Sequence, residues 1–362
     1  MTTRALFLIN GLGLGNSTRC HAIIQRLRQH DVDIGVVTSG NGLWYFDGRS
    51  EIGSLLELHA LRYGQIDGQL SILRTLTNTG RYLSIMRRNA ELVAAVLDRV
   101  RPNVVVTDSV YNLAPMQRRC IPVIALNNAD VVRHGFRAFT DRPRSIYPQF
   151  YAIELMDYWF HRFRPDRVIS PSIDPHTPSP SFPFQRVGPI VRIGYESKET
   201  SSPTRKVVIM LSGSVFGMPV TLTRSRPGVR IDVVGRPPPD GWSNTDGLYY
   251  HGRVRDTAPI LADADLVVVN GGFSAVSELF WMKKPMLVVP VPNHAEQWIN
   301  ARTVKKMGVG DLISEKNIEA AIWPALERIS SFRAAYDNLP PSPDGAQQAS
   351  EVILKVGAGS NL

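Results

Sequence analysis

Gly271-Gly272-Phe273-Ser274 follows an apolar, β-branched run at residues 266–269 and opens a helical stretch. Glycines placed after a strand let the amides of a helix start approach a phosphate closely. Glu278 lies four residues beyond Ser274, on the same helix face one turn on, where a carboxylate can accept hydrogen bonds from the two hydroxyls of a ribose. A second apolar run, residues 286–289, leads into His294, Glu296, Gln297 and Asn300. Taken alone, Gly271-Gly272 reads as a buried turn beside a solvated glutamate. The polar cluster at the end of the next strand is what argues for a ligand.

The beginning of the chain repeats the pattern. Residues 5–9 read as a strand, then comes Gly11-Leu12-Gly13-Leu14-Gly15, then Ser17-Thr18 as N-cap residues for a helix with Ala22, Ile23, Ile24 and Leu27 on its apolar face. Arg19, in the first turn, either reaches an anionic group or is a surface arginine. A dinucleotide-dependent dehydrogenase would close its second strand with an acid for the cofactor ribose, but the run at 34–37 ends in Thr38-Ser39-Gly40. Ser212-Gly213-Ser214, after the run at 207–211, offers amides to a phosphate or makes an ordinary strand-to-helix turn. Asp108 ends the run at 104–107, either as a proton acceptor at the carboxyl edge of a sheet or as the N-cap of the next helix.

These segments need a scaffold, and the sequence supplies a regular one. Strands alternate with helical stretches, including a long one at about 70–100 stopped by Pro102, which argues for parallel sheets. The 362 residues, 43% apolar and 20% charged, predict two or three packed domains. Six prolines between Pro171 and Pro189, with the polar stretch 196–204, read as an interdomain segment. Two cysteines exclude a disulfide framework, and no Cys/His spacing fits a metal site. The start lacks a signal-peptide pattern and no apolar run is long enough to span a bilayer, so a cytoplasmic location is expected. Of the net charge of +9, most falls in residues 1–200, which hold 24 Lys/Arg against 17 Asp/Glu. A basic face attracts anionic lipid, phosphorylated acceptors or nucleic acid. Residues 151–164 add Tyr151, Tyr158, Trp159, Phe160 and Phe163 to Arg162 and Arg164. Aromatics this dense are expected as core between domains, with peripheral membrane contact or stacking on an acceptor as the alternatives.

Gly-Gly-x-Ser-x-x-x-Glu at 271–278, an apolar strand, and His-x-Glu-Gln-x-x-Asn-Ala at 294–301 together resemble the donor half of the GT-B glycosyltransferases. The likeness is greatest to the nucleotide-sugar enzymes that include the peptidoglycan N-acetylglucosaminyltransferase and its archaeal and bacterial relatives. It is densest over residues 250–310, with further matches at 5–25, 101–130, 186–192 and 206–217. The resemblance implies an α/β GT-B fold of two Rossmann-like domains facing a cleft. Residues 1–190 would form the acceptor side, 191–204 a linker, 205–342 the nucleotide-sugar domain, and 343–362 a terminal helix packing back across the junction. It implies inverting sugar transfer from a nucleoside diphosphate sugar, a uridine one, to an acceptor hydroxyl, with no cofactor and no metal.

Residue by residue, the resemblance implies that Gly252-Arg253-Val254 wraps the nucleobase, that Ser212, Gly213, Ser214, Gly271, Gly272, Phe273 and Ser274 seat the phosphates, and that Glu278 holds the ribose. His294, Glu296 and Gln297 would meet sugar hydroxyls and the leaving phosphate. The loop with Gly13, Gly15 and Arg19 would face the acceptor, near Asp130. The family usually carries histidine directly after the last glycine of that loop, where this chain has Asn16. An amide takes no proton at neutral pH. Asp108 is then the leading candidate for the base, with Asp130 and His21 behind it. The acceptor stays open among natural-product scaffolds, lipid-linked intermediates, glycans and nucleic acid. Two other functions also stay open: a nucleotide-sugar epimerase of the same fold, and a catalytically silent partner subunit.

Overall fold

The computed structural model describes residues 3–59, 65–66, 69–70, 79–196, 204–211, 225–238 and 247–359. Ser212, Gly213 and Ser214 lie outside the described residues. In the first half, strands β1 (Arg4–Ile9), β2 (Asp33–Thr38), β3 (Ser54–Glu57), β4 (Val104–Asp108), β5 (Val123–Leu126), β6 (Arg167–Pro171) and β7 (Phe184–Val187) form one parallel sheet in the order β3-β2-β1-β4-β5-β6-β7. The central strands are buried on both faces, as their unbroken Val/Ile/Leu runs require.

The second half holds β8 (Arg205–Met210), β9 (Val229–Val234), β10 (Leu248–Gly252), β11 (Leu266–Asn270), β12 (Met286–Val289) and β13 (Gly310–Leu312). Their order is β10-β9-β8-β11-β12-β13, again parallel. Both sheets are doubly wound α/β and belong to the GT-B architecture. Strand order reverses at β1/β4 and at β8/β11, the places where such sheets open a crevice at their carboxyl ends.

Helix α1 (Leu14–Leu27) begins inside the glycine loop, with Gly13 at the N-cap, rather than at Ser17. The apolar period of Cys20, Ile23, Ile24 and Leu27 extends back through Leu14 onto the sheet, and this packing carries the helix one turn earlier. The six-proline stretch is not a connection between the halves. It returns the chain to β7, which among the described residues pairs only with β6, and an open sheet edge tolerates proline. The last helix, Gly345–Gly357, packs Ala346, Ala349, Val352 and Ile353 against α1. Asp344 caps it by accepting from the Gln347 amide and also pairs with Arg26 at 2.7 Å.

The aromatic stretch overturns the expectation of interdomain core. In the helix Leu155–Phe163, Tyr158 and His161 face inward, while Met156, Trp159 and Phe163 are 62%, 42% and 71% exposed. Their spacing of three and four residues puts them on one outward face, and the Trp159 and Phe163 rings stack at 5.6 Å.

Candidate functional site

The two glycine loops meet. The helix Phe273–Trp281 follows β11 as α1 follows β1, and Ser274 Oγ donates to the Gly15 carbonyl at 2.9 Å. The carboxyl edges of the two sheets therefore face each other. Close backbone approach explains the glycines: a Cβ on Gly11 would lie 1.6 Å from the Ser39 carbonyl, and one on Gly271 2.5 Å from the Gln297 carbonyl. At Gly13 and Gly272 a Cβ would meet nothing within 4 Å, so both border open space. Gly272 caps its helix without a side-chain bond, leaving first-turn amides that no intrahelical carbonyl satisfies. Asn300 Nδ2 donates to the Gly271 carbonyl at 2.9 Å and ties the loop to the helix Ala295–Met307.

Asp108 lies at the expected reversal point but is not the open carboxylate expected there. It is 0% exposed and takes Arg19 Nε at 2.9 Å and Nη2 at 2.7 Å, with Cys20 Sγ at 3.6 Å. Burial opposes the arginine's charge, but Asp108 outweighs it and raises the guanidinium above its ordinary range. Arg19 is thereby committed to Asp108 instead of a ligand anion. His21 is buried behind the loop, with Nδ1 2.9 Å from Tyr45 Oη and Nε2 3.3 Å from Glu51. Burial, and then Arg49, push its pKa down to about 4. Asp130 is engaged by Arg186 at 2.6 Å and by Ser170. Asn16 donates to the Asn10 carbonyl at 3.3 Å and braces the loop.

On the donor side, Glu278 is buried and ion-paired. Its Oε1 takes Arg192 Nε at 3.1 Å and Nη2 at 2.9 Å. Burial raises its pKa despite that partner. Arg192 also donates to Tyr45 Oη at 3.1 Å and to Tyr195 Oη, so the pair joins both halves. Arg253 is likewise drawn across the junction: Nη2 donates to Asn41 Oδ1 at 2.6 Å, and the guanidinium lies 3.9 Å from the centre of the Trp44 ring. Val254 packs on the core of the second half. Gln297 Oε1 accepts from the Val291 amide at 3.0 Å and fixes the loop before its own helix. His294 is the N-cap of that helix.

Sequence reasoning did not single out Glu154. It sits in a π-helical turn, Phe150–Glu154, and reaches from the first half to His294 and Glu296 of the second. Burial and the charge of Glu296 push its pKa up to about 8. Among the described residues these three form the group close enough to hold a metal ion. Of the chain's Asp-x-Asp pairs, 263–265 is spent on Lys206, Arg205 and Arg333. The pair at 31–33 lies at the amino end of β2, away from the glycine loops.

Comparison with known proteins bears on the family and the fold. A family model described as glycosyl transferase family 1 matches residues 3–142 and 251–329, which include both glycine loops. An uncharacterized glycosyltransferase of Methanosarcina acetivorans is 26% identical over 338 residues, covering 86% of each chain. Among solved structures, Acinetobacter baumannii MurG superposes with a TM-score of 0.61 at 13% identity, covering 98% of this chain and 99% of its own. LpCGTa in complex with UDP gives 0.61 at 15%, covering 98% and 99%.

Proposed function

The chain belongs to glycosyl transferase family 1 and is a glycosyltransferase, and from that premise we propose that it moves a sugar from a uridine diphosphate sugar to an acceptor hydroxyl with inversion. The observation that carries this reading is the meeting of the Gly13–Gly15 and Gly271–Ser274 loops at the reversal points of both sheets. The second half holds the donor and the first half presents the acceptor. The acceptor oxygen bonds to the anomeric carbon as the bond to the diphosphate breaks. Negative charge then builds on the leaving phosphate, where the first-turn amides of helix Phe273–Trp281 and its dipole stabilise it. Both Arg192 bonds fall on Glu278 Oε1, so Oε2 is the atom offered to the ribose. Glu296 and Gln297, at the next strand's end, meet the sugar.

The test is calorimetric titration of UDP and of a panel of nucleoside diphosphate sugars, followed by donor turnover. Glu278→Gln should weaken UDP binding by about 1.5–3 kcal/mol, the usual loss for a charge-assisted hydrogen bond. Unchanged affinity refutes the ribose assignment, and stabilisation by no nucleotide sugar refutes the donor reading.

The exposed row Met156, Trp159 and Phe163, with Arg162, Arg164 and Arg167 around it and Phe182 63% exposed beside it, supports a second element. An apolar face rimmed by arginines fits the interface of an anionic bilayer. We place the acceptor at such a surface, which favours a lipid-linked one. Among the described residues no helix is long and apolar enough to cross a membrane, so contact of this kind would be peripheral.

A further inference from the structure

We infer that Gln149 is a positioning residue for the donor sugar: from the first half it caps the helix of the second half that carries Glu296 and Gln297. The inference rests on the reading that those two side chains meet the sugar. Helix Ala295–Met307 starts without a cap of its own. Its N-cap is His294, where Ser, Thr, Asp or Asn is usual, and the imidazole makes no capping bond. The first-turn amides have no acceptor within the helix. Gln149 Oε1 supplies one, accepting from the Ala295 amide at 2.9 Å across 146 residues of sequence.

The orientation of Gln149 is fixed at its other end. Its Nε2 donates to Glu154 Oε1 at 2.7 Å, so the carbonyl is the group turned toward Ala295. Backbone geometry makes this pair, because Phe150–Glu154 is π-helical. An α-helix puts residues three and four apart side by side, whereas the i→i+5 bonding of a π turn brings residues five apart together, and such turns recur at functional sites.

Packing sets which movement the cap prevents. Ala295, Trp298 and Ile299 form one face of the helix and share an apolar cluster with Phe136 and Phe150 of the first half. Apolar burial is non-directional, so it holds the helix down without fixing its first turn. A hydrogen bond to the Ala295 amide is directional and does fix it. Glu296 and Gln297 come next in the chain, and Gln297 stands on the donor loop, where a Cβ on Gly271 would lie 2.5 Å from its carbonyl. Displacing Ala295 therefore displaces both sugar contacts. The cap exists only while the two halves are docked, so the sugar side of the site is completed by the acceptor half.

The test uses the full chain, with UDP, UDP-glucose, UDP-galactose and UDP-N-acetylglucosamine as probes in calorimetry. Gln149→Met, which keeps the side-chain length without its polar atoms, should weaken the best-bound of the nucleotide sugars by about 10-fold, within the roughly 100-fold that a 1 Å misplacement can cost. UDP affinity should stay at the parent value, which also shows that the variant folds. Amide exchange at Ala295, followed by mass spectrometry, should speed up because its acceptor is gone. Glu154→Gln keeps Oε1 as acceptor for Gln149 and should behave as the parent, whereas Glu154→Leu should match Gln149→Met. In a Gln297→Ala background the added loss from Gln149→Met should shrink, because both act on the same contact. An equal loss for UDP, faster exchange with no loss of sugar affinity, or loss of sugar affinity at the parent exchange rate overturns the role of Gln149. Gln297→Ala separates the two readings. If it too leaves sugar affinity intact, the sugar placement itself fails, and if it alone weakens the sugar, only the capping role does.

Discussion

Asp108→Asn separates a structural role from a catalytic one. Asp108 is 0% exposed and its bonds to Arg19 are 2.7 and 2.9 Å, while Arg19 itself is only 8% exposed. Removing one partner of a buried pair leaves the other charge uncompensated and typically costs about 3–5 kcal/mol. The asparagine carbonyl still accepts one guanidinium bond, which puts the expected loss near about 3 kcal/mol. Urea unfolding followed by far-UV circular dichroism measures it, read as two transitions if the two halves unfold separately. A cycle of Arg19→Met, Asp108→Leu and the double variant Arg19→Met/Asp108→Leu isolates the coupling. Replacing both partners with apolar groups should recover most of the lost stability, because such exchanges are often neutral or stabilising. A base at this position would behave oppositely. If Asp108→Asn keeps its stability to within about 0.5 kcal/mol while turnover falls by about 100- to 10,000-fold, the structural assignment fails and Asp108 is the proton acceptor.

His21 carries a pH signature. Its folded pKa of about 4 lies below the ordinary 6.5, so the unfolded chain binds the proton more readily, and stability present above pH 6.5 is lost as pH falls toward 4. At about 1.4 kcal/mol per pKa unit the full loss is about 3 kcal/mol. Urea midpoints between pH 4 and 7 should fall more steeply for the parent than for His21→Gln, and parallel curves would refute this. Gln297→Ala should lower kcat/KM for sugar transfer while UDP affinity holds, and equal losses in the two would remove it from the sugar site. Vesicles containing anionic lipid should sediment the chain at low ionic strength and release it with salt. Changing Met156, Trp159 and Phe163 to serine should abolish sedimentation, and retention by the triple variant would point to charge alone.

What the sequence made legible is what local chemistry determines. β-branched runs and glycine loops repeat at short range, so both sheets, their parallel sense and the position of Gly271–Ser274 at a strand end could be read from spacing. Contacts made only when the two halves dock could not. Arg192 reaches Glu278, Arg253 reaches Trp44, and Glu154 reaches His294 across long separations in the chain, and no periodicity links them. Asp108 shows the boundary most clearly. Its place at the edge of β4 follows from the strand pattern, but its chemistry depends on where α1 starts. A helix beginning at Ser17 leaves Arg19 in its first turn, free to meet a ligand. One beginning at Leu14 carries Arg19 further into the helix, where it turns onto the sheet and closes on Asp108. One turn of helix thus converts an expected proton acceptor into half of a buried ion pair. The Arg19→Met variant frees the carboxylate from its partner and tests this directly: if it gains no activity, Asp108 serves the fold alone.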